Sequence, residues 1–332
     1  MVTYILGAGA SIHAGYPLTT NLGNVIHQWA RQSNFLHRGE IDELHELYGG
    51  LTNLEKVLTD LYDHPEGSRA ATLKEAHRGG IIGALAVAIP EFFNYVRQNP
   101  IDGPDLYREF ARAKIKSGDT ILTFNYDLAC ERALRTEGLW EIGDGYGFSL
   151  GAGITPPSMV KVLKLHGSAN WLGILFDGIT SFSQVSNVYG QRPCLFGRRD
   201  FTYLGYSSDV DDPLYRGISA PGGEPAVILP TFHKNFFHLT SFGREWERFW
   251  NCIWEQAQEA LASAEKIVVI GYSMPSGDER ARELLLKYSN PDAEIQVFSG
   301  TRTGVICGDF RNGGFQNVNS SDQSHFEDFM KT

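Results

Sequence analysis

The stretch that decides the fold is YILGAGASIHAGYP, residues 4–17. Its apolar start runs directly into GAGAS at 7–11, and the segment TTNLGNVIHQWARQ at 19–32 then has helical spacing. A strand, a glycine turn and a helix in this order are typical of the opening β-α unit of a nucleotide-binding domain. In such a unit a G-x-G turn lets the backbone approach a pyrophosphate, and the helix N-terminus offers N–H groups and the positive end of a dipole.

The glycine motif is incomplete. Ile12 stands where a G-x-G-x-x-G motif has its third glycine, and Gly15 comes three residues late. Two interpretations therefore stay open: a loop that holds phosphates, to which Ser11 adds a hydroxyl donor, or a plain turn between a strand and a helix.

Length and composition indicate a globular protein. The chain has 332 residues, of which 42% are hydrophobic and 20% charged, so it can form one large α/β domain with an inserted module. A net charge of −10 argues against a broad cationic face, and we expect no direct binding of nucleic acid. The four cysteines contain no C-x-x-C pair, which predicts neither a metal site nor a disulfide framework; they are Cys130, Cys194, Cys252 and Cys307.

Two apolar segments bear on localisation. The N-terminal one has no basic leader and is interrupted at once by Gly-Ala-Gly, so we interpret it as a buried strand and not a signal peptide. The run IIGALAVAI at 81–89 stops at Pro90, which makes it too short to span a bilayer. We therefore expect a cytoplasmic protein with no membrane segment.

The hydrophobic pattern predicts an α/β fold. Five apolar stretches read as strands after the first, namely DTILTFNYD, MVKVLKLHGSANWL, PAVILP, KIVVIG and AEIQVFSG. Helical patterns alternate with them, as in a Rossmann-like, mostly parallel sheet with helices on both faces. We expect a single domain over 1–332, with a helical insertion at 36–115 and an irregular loop region at 174–224. The tail from Thr301 is polar, with a short helix near its end.

Polar residues follow several of these strands. In LTFNYD, Thr123, Asn125 and Asp127 share one face because side chains of an extended chain alternate. An amide and a carboxylate there can bind ribose hydroxyls or orient a water. Asp127 can instead form an Asx turn that caps the next helix, and the two tasks are compatible.

A histidine ends the next strand. His166 in KLHGS is followed by Gly167, which leaves one face of the imidazole open, and histidine suits general base chemistry near neutral pH. His13 and His233 are secondary candidates among ten histidines.

The last apolar strands continue the pattern. In VVIGYSMPSGDE, Gly271 and Ser273 suit a second phosphate or ribose contact, whereas Ser276 and Asp278 are better read as helix caps. Because ligands of parallel α/β sheets bind at the carboxyl ends of the strands, we expect all these groups to converge on one edge of the sheet.

With these blocks in this order, the chain resembles the sirtuin-like (SIR2-like) family. GAGAS...GYP looks like the G-A-G-x-S...G-x-P loop, and TFNYD matches the T-x-N-x-D block. HG at 166–167 matches the block with the catalytic histidine, and GYS at 271–273 is similar to the G-x-S segment. The blocks span residues 5 to about 300.

The resemblance implies a domain that binds NAD and attacks the bond between nicotinamide and ribose. By motif position, Asn125 would position the ribose and a water, Asp127 would help to hold the pocket, and His166 would be the base. The implied NAD-binding residues are Gly7, Ala8, Gly9, Ser11, Thr123, Gly271 and Ser273.

The missing cysteine pairs separate the chain from sirtuin deacylases, which carry a zinc module. It is more similar to the SIR2-like NADases of bacterial anti-phage defence, which implies an NAD+ glycohydrolase without a metal that is triggered by infection. A homo-oligomer and a separate sensor subunit, such as a HerA-type ATPase or a short Argonaute, are the implied partners. A non-catalytic module that senses NAD or ADP-ribose is the main alternative, and a deacylase is the third.

Overall fold

The computed structural model describes residues 1–142, 144–147, 157–174, 194–195, 203–206, 223–231, 243–275, 277–320 and 325–332. The strands are β1 Val2–Leu6, β2 Thr120–Thr123, β3 Lys161–Lys164, β4 Gly167–Ile174, β5 Cys194–Leu195, β6 Tyr203–Tyr206, β7 Gly223–Val227, β8 Lys266–Ile270, β9 Glu294–Phe298 and β10 Val318–Ser320. The α-helices in the described ranges are α1 Thr19–Gln32, α2 Arg38–Tyr48, α3 Leu54–Asp63, α4 Glu75–Gln98, α5 Leu106–Ala113, α6 Ala129–Thr136, α7 Gly243–Ala262, α8 Glu279–Lys287, α9 Thr303–Asn312 and α10 Phe326–Lys331.

The central sheet has six parallel strands in the order β10-β9-β8-β1-β2-β3. Counted along the chain, this is the 3-2-1-4-5-6 order of a Rossmann fold, so the predicted fold class is confirmed. β1 lies at the centre, where Thr3 is in register with Thr120 of β2 on one side and with Ile267 of β8 on the other. The strand order reverses there, which places the ligand crevice at the carboxyl ends of β1 and its neighbours.

A second sheet follows β3. The sequence predicts a strand in MVKVLKLHGSANWL that ends at His166, and the chain does turn at Leu165 and His166. It then starts a new strand, β4, that the sequence analysis does not separate from the first. Gly167 has φ +87°, a left-handed conformation that glycine adopts without strain, and this redirects the chain. The segments β5, β6, β4 and β7 then form an antiparallel sheet in that order, which also contains the start of PAVILP. Most of the 174–224 region lies outside the described residues.

Helices α1 to α4 form a module beside the sheet, referred to below as the helical module. Their apolar faces build a hydrophobic cluster distinct from the core of the central sheet. Leu54, Val57, Leu58 and Leu61 of α3 form the buried stripe that their spacing predicts. Ala129, at the start of α6, packs against both clusters.

Helix α4 follows the helical pattern of its sequence but corrects the expectation that its apolar run, because it stops at Pro90, is too short to span a bilayer. The helix does not end at Pro90 but continues through it to Gln98, and Phe92 and Phe93 beyond the proline are buried. Burial of these large side chains offsets the helix hydrogen bond that a proline removes. By length and composition alone α4 could cross a membrane, but 56% of its apolar window is buried inside the protein, as in the core helix of a globular domain.

The C-terminal tail contains more structure than its composition predicts. AEIQVFSG is not the last strand, since β10 adds a sixth strand at the edge of the sheet next to β9. Helix α9 lies between these strands and buries Ile306, Cys307 and Phe310 despite two glycines in its sequence. A three-residue strand and a glycine-containing helix are weak local signals, and both depend on tertiary packing.

Candidate functional site

A cavity of about 340 Å³ opens at the carboxyl ends of the central strands. Loops that follow β1, β2, β3 and β8 line one side, and residues of the helical module line the other. The residues predicted as site candidates that line it are Gly7, Ala8, Gly9, Ser11, Asn125, Asp127, His166, Gly271 and Ser273. The structure therefore brings together residues from four separate sequence blocks.

Three glycines hold the first and last blocks against each other. The N–H of Gly7 donates to the Ile270 carbonyl (3.0 Å), and the N–H of Gly9 donates to the Gly271 carbonyl (2.9 Å). A Cβ on Gly7 would lie 2.4 Å from the Tyr272 Cα, and one on Gly271, where φ is +62°, would lie 2.1 Å from the backbone N of residue 10. The close contact between two loops thus already requires these glycines, before any ligand is considered.

Asn125 has a fixed amide orientation. Its Nδ2 donates to the Gly7 carbonyl (2.9 Å) and to Ser11 Oγ (3.1 Å). Because a carbonyl can only accept, the Gly7 contact identifies Nδ2 and turns Oδ1 the other way. Both amide hydrogens are used, so Oδ1 remains as an acceptor for a hydroxyl or a water in the cavity.

Ser11 is fully buried and joins three side chains. Its hydroxyl donates to Asp127 Oδ2 (2.8 Å), since a carboxylate can only accept. It accepts from Asn125 and from the Tyr107 hydroxyl, which lies 2.9 Å away on α5. Burial raises the pKa of Tyr107, so this phenol keeps its proton. Ser11 lines the cavity, but its one hydrogen is directed to Asp127.

Asp127 both forms the predicted Asx turn and lines the cavity. Oδ1 accepts from the N–H of Ala129 (3.0 Å) in an Asx turn, while Oδ2 holds Ser11. Below it, Lys164 donates to the Asp127 carbonyl and to Glu131 (2.7 Å). Both members of this ion pair are buried, and burial raises the pKa of Glu131 against the opposing effect of Lys164.

His166 also lines the cavity and is 6% exposed. The Phe124 ring meets its imidazole edge to face at 5.0 Å between centroids, and Tyr272 stacks on Phe124 at 4.2 Å. The imidazole Nε2 is 3.4 Å from Asp278 Oδ2, a long contact for a hydrogen bond but within ion-pair distance. Asp278 caps α8 as the sequence predicts, and its place beside His166 could not be seen from the sequence.

The helical module supplies the opposite wall. Phe93 of α4 stacks at 5.3 Å between ring centroids on Tyr16, which lies between β1 and α1, and meets Tyr126, which follows β2, edge to face at 5.7 Å. Asn53 and Glu55, at the N-terminus of α3, also line the cavity. Phe93, Asn53 and Glu55 lie in none of the motifs described above; their only sequence signal is that Asn53 is a typical helix N-cap.

Other predicted candidates lie elsewhere. Thr123 does not line the cavity, and its hydroxyl accepts from the backbone N–H of Asn125 (3.1 Å). His13 packs on Tyr107 and Phe326 at ring distances of 4.9 and 5.6 Å, outside the cavity lining. His233 and Ser276 are outside the described residues. Within the described ranges, no cluster of three or more His, Cys, Asp or Glu side chains could hold a metal ion.

Comparison with known proteins finds no matching family model and no matching curated protein. Several solved structures are similar at low identity. Sir2Tm bound to a propionylated peptide has a TM-score of 0.40 and 12% identity over 100% of this chain and 90% of that chain. A Sir2 homolog–NAD complex has a TM-score of 0.39 and 12% identity over 94% and 89% of the two chains. A Sir2 enzyme studied for mechanism and regulation has a TM-score of 0.36 and 15% identity over 90% and 80%.

Proposed function

We propose that the chain is an NAD+ glycohydrolase, which cleaves the bond between nicotinamide and ribose. The observation that carries this proposal is the pairing of a preset Asn125 amide with a buried His166 in one cavity at the switch point of a Rossmann sheet. An amide acceptor and a base in one cavity are what the attack of water on a ribose carbon needs.

The reaction asks little of the protein, because nicotinamide is a cationic leaving group. As the C1′–N bond breaks, its electron pair neutralises the nicotinamide and positive charge develops on the ribose. Water attacks C1′, with Asn125 Oδ1 orienting the ribose and the water and His166 accepting the proton that the water loses. The carboxylates of Asp278 and Glu55, which line the same cavity, favour the cationic transition state.

Two N–H groups of the first glycine turn are already used, so the phosphates need further donors. The Gly7 and Gly9 N–H groups are already bonded to the β8 loop. Thr19 and Thr20 line the cavity at the N-terminus of α1, whose N-cap residue Leu18 makes no side-chain hydrogen bond. We assign the pyrophosphate to this helix end together with Ser273, since helix N-termini favour anions.

An NADase of this kind must be controlled, because unregulated turnover would deplete the NAD of its own cell. We propose that it acts in the cytoplasm as the effector of anti-phage defence, and that oligomerisation or a separate sensor subunit triggers it. The isolated chain should accordingly turn over slowly, with ADP-ribose or its cyclic form as the product.

The test is NAD turnover by the purified full chain, with the products separated by chromatography and candidate sensor subunits added. Asn125→Ala and His166→Ala should each lower kcat by about 10²-fold or more. Asn99→Ala and His77→Ala are matched controls at exposed positions on or beside α4 and should turn over like the wild type. Turnover that survives both site substitutions contradicts the proposal, and NAD bound without turnover under every condition favours the sensor.

A further inference from the structure

Asp278 offers one carboxylate oxygen to each of two partners. Oδ1 accepts from the N–H of Ala281 (3.3 Å) and so caps α8. Oδ2 lies 3.4 Å from His166 Nε2 and accepts from the Tyr272 hydroxyl, also at 3.4 Å. The carboxyl is 2% exposed, which is far more buried than a helix cap alone requires.

We propose that Asp278 is a positioning residue for His166, holding the imidazole toward the cavity and stabilising the imidazolium formed when His166 accepts a proton. This inference rests on the proposed function for its catalytic consequence only. The pairing of the two side chains can be tested without any substrate.

Burial makes the pair electrostatically significant. An imidazolium in a site with little water is costly unless an anion lies beside it, and a buried carboxylate at ion-pair distance compensates that cost. The edge contact of Phe124 restricts rotation of the His166 ring, while the Tyr272 hydroxyl holds Oδ2 in place. Burial and the Asp278 charge both raise the pKa of Tyr272, so this hydroxyl stays a donor.

Other charged groups face the same cavity and bear on its titration. Glu55 at the start of α3 and Asp127 after β2 both line it. Arg282 on α8 pairs with Asp309 (3.0 Å). Its positive charge opposes the rise in the pKa of Tyr272. Among these groups, Asp278 is the one with an ion-pair distance to the His166 imidazole.

In the reaction, a water O–H bond breaks as its oxygen bonds to C1′, and the proton passes to His166. The imidazolium stands beside the Asp278 carboxylate until it releases the proton to solvent. The carboxylate stays ionised throughout, so it changes the energy of the proton acceptor without joining the covalent steps.

The capping role can be separated from the charge. Asparagine caps helices about as well as aspartate, so Asp278→Asn keeps the cap and removes the charge. Asp278→Ser is a second neutral cap that keeps the test available if one variant folds poorly. Asp105→Asn is the matched control, because Asp105 caps α5 by accepting from the Arg108 N–H (3.0 Å) and does not line the cavity.

The first measurement is an NMR titration of His166 in the full chain without substrate. Loss of the neighbouring anion should lower the midpoint by about one pH unit in Asp278→Asn and Asp278→Ser, a tenfold loss of proton affinity, with no change in Asp105→Asn. An unchanged midpoint in the Asp278 variants overturns the proposal, whatever their activity.

The second measurement is the pH profile of NAD turnover. A base must be unprotonated, so a lower pKa moves the acidic limb of kcat to lower pH, while kcat falls about 10- to 100-fold and KM changes little. An acidic limb that stays in place also contradicts the proposal. A shifted midpoint in a protein that never cleaves NAD would uphold the pair and refute the NADase.

Discussion

The two walls of the cavity are built differently. On the sheet side, backbone groups lock the side chains in place: Asn125 is held by the Gly7 carbonyl, and the Gly7 and Gly271 loops interlock. On the side of the helical module, aromatic contacts dominate, with Tyr16, Phe93 and Tyr126 packed in the same hydrophobic cluster.

This difference separates two tasks. Hydrogen bonds from loop backbone set atoms to within a fraction of an ångström, as bond cleavage requires. Apolar packing tolerates small changes of shape and serves to hold a ligand. We therefore expect substitutions on the sheet side to alter stability and kcat, and those on the helical side to alter mainly KM.

The largest effect should come from the buried ion pair beneath the site. Lys164→Met leaves Glu131 buried without its cation and should lower the free energy of unfolding by about 3–5 kcal/mol. Lys164→Met combined with Glu131→Leu should recover most of the loss. Denaturant unfolding measures both, with Lys287→Met as the control, since its pair with Glu283 is 63% and 54% exposed. If the free energy of unfolding of Lys164→Met lies within about 1 kcal/mol of the wild-type value, the buried ion pair does not stabilise the sheet side of the cavity.

The interlocked loops should come next. Gly271→Ala combines left-handed backbone strain with a Cβ 2.1 Å from a backbone nitrogen, and should cost about 2–4 kcal/mol. Gly79→Ala, inside α4 with open space around its Cβ, should instead gain up to about 1 kcal/mol. Thermal unfolding of the two variants, each compared with the wild type, measures this difference in stability. Equal effects of the two alanines would mean that the loops adjust freely and that the sheet side of the cavity is not rigidly held.

Substitutions on the helical-module side of the cavity should have smaller effects, mainly on the KM for NAD. Phe93→Leu loses aromatic contacts worth about 1 kcal/mol and should raise the KM for NAD several-fold while kcat changes little. Phe92→Leu is the control, because Phe92 is buried in the same helix but does not line the cavity. Steady-state kinetics on both would decide, and a fall in kcat with constant KM would place Phe93 with the sheet side.

The smallest effect should come from Tyr107, which shares a hydrogen bond with Ser11 but does not line the cavity. Tyr107→Phe removes one hydrogen bond to Ser11 and should cost about 1 kcal/mol of stability. Because Ser11 still donates to Asp127, kcat should fall less than tenfold. Unfolding and turnover measured together test this, and a loss of kcat as large as that of Asn125→Ala would mean that Tyr107 belongs to the reacting centre.

Local patterns predict much of this structure. Continuous apolar strands between helices indicate the parallel sheet, and residues that directly follow its strands converge because such strands end at one edge. Asn125, Asp127 and His166 were found in this way. The separate strand β4 after the turn at His166, the strand β10 and the helix α9 were missed, since each depends on contacts distant in the chain.

The sequence by itself determined the fold class and most of the polar residues that follow the strands and line the cavity, because hydrophobic period and strand direction are properties of neighbouring residues. Only the tertiary structure decided what each residue does there. It showed that Gly7 and Gly271 are required by each other, that the Ser11 hydrogen points to Asp127, and that Asp278 lies beside His166. These pairings join residues far apart in the chain, and no local propensity encodes the distance between them.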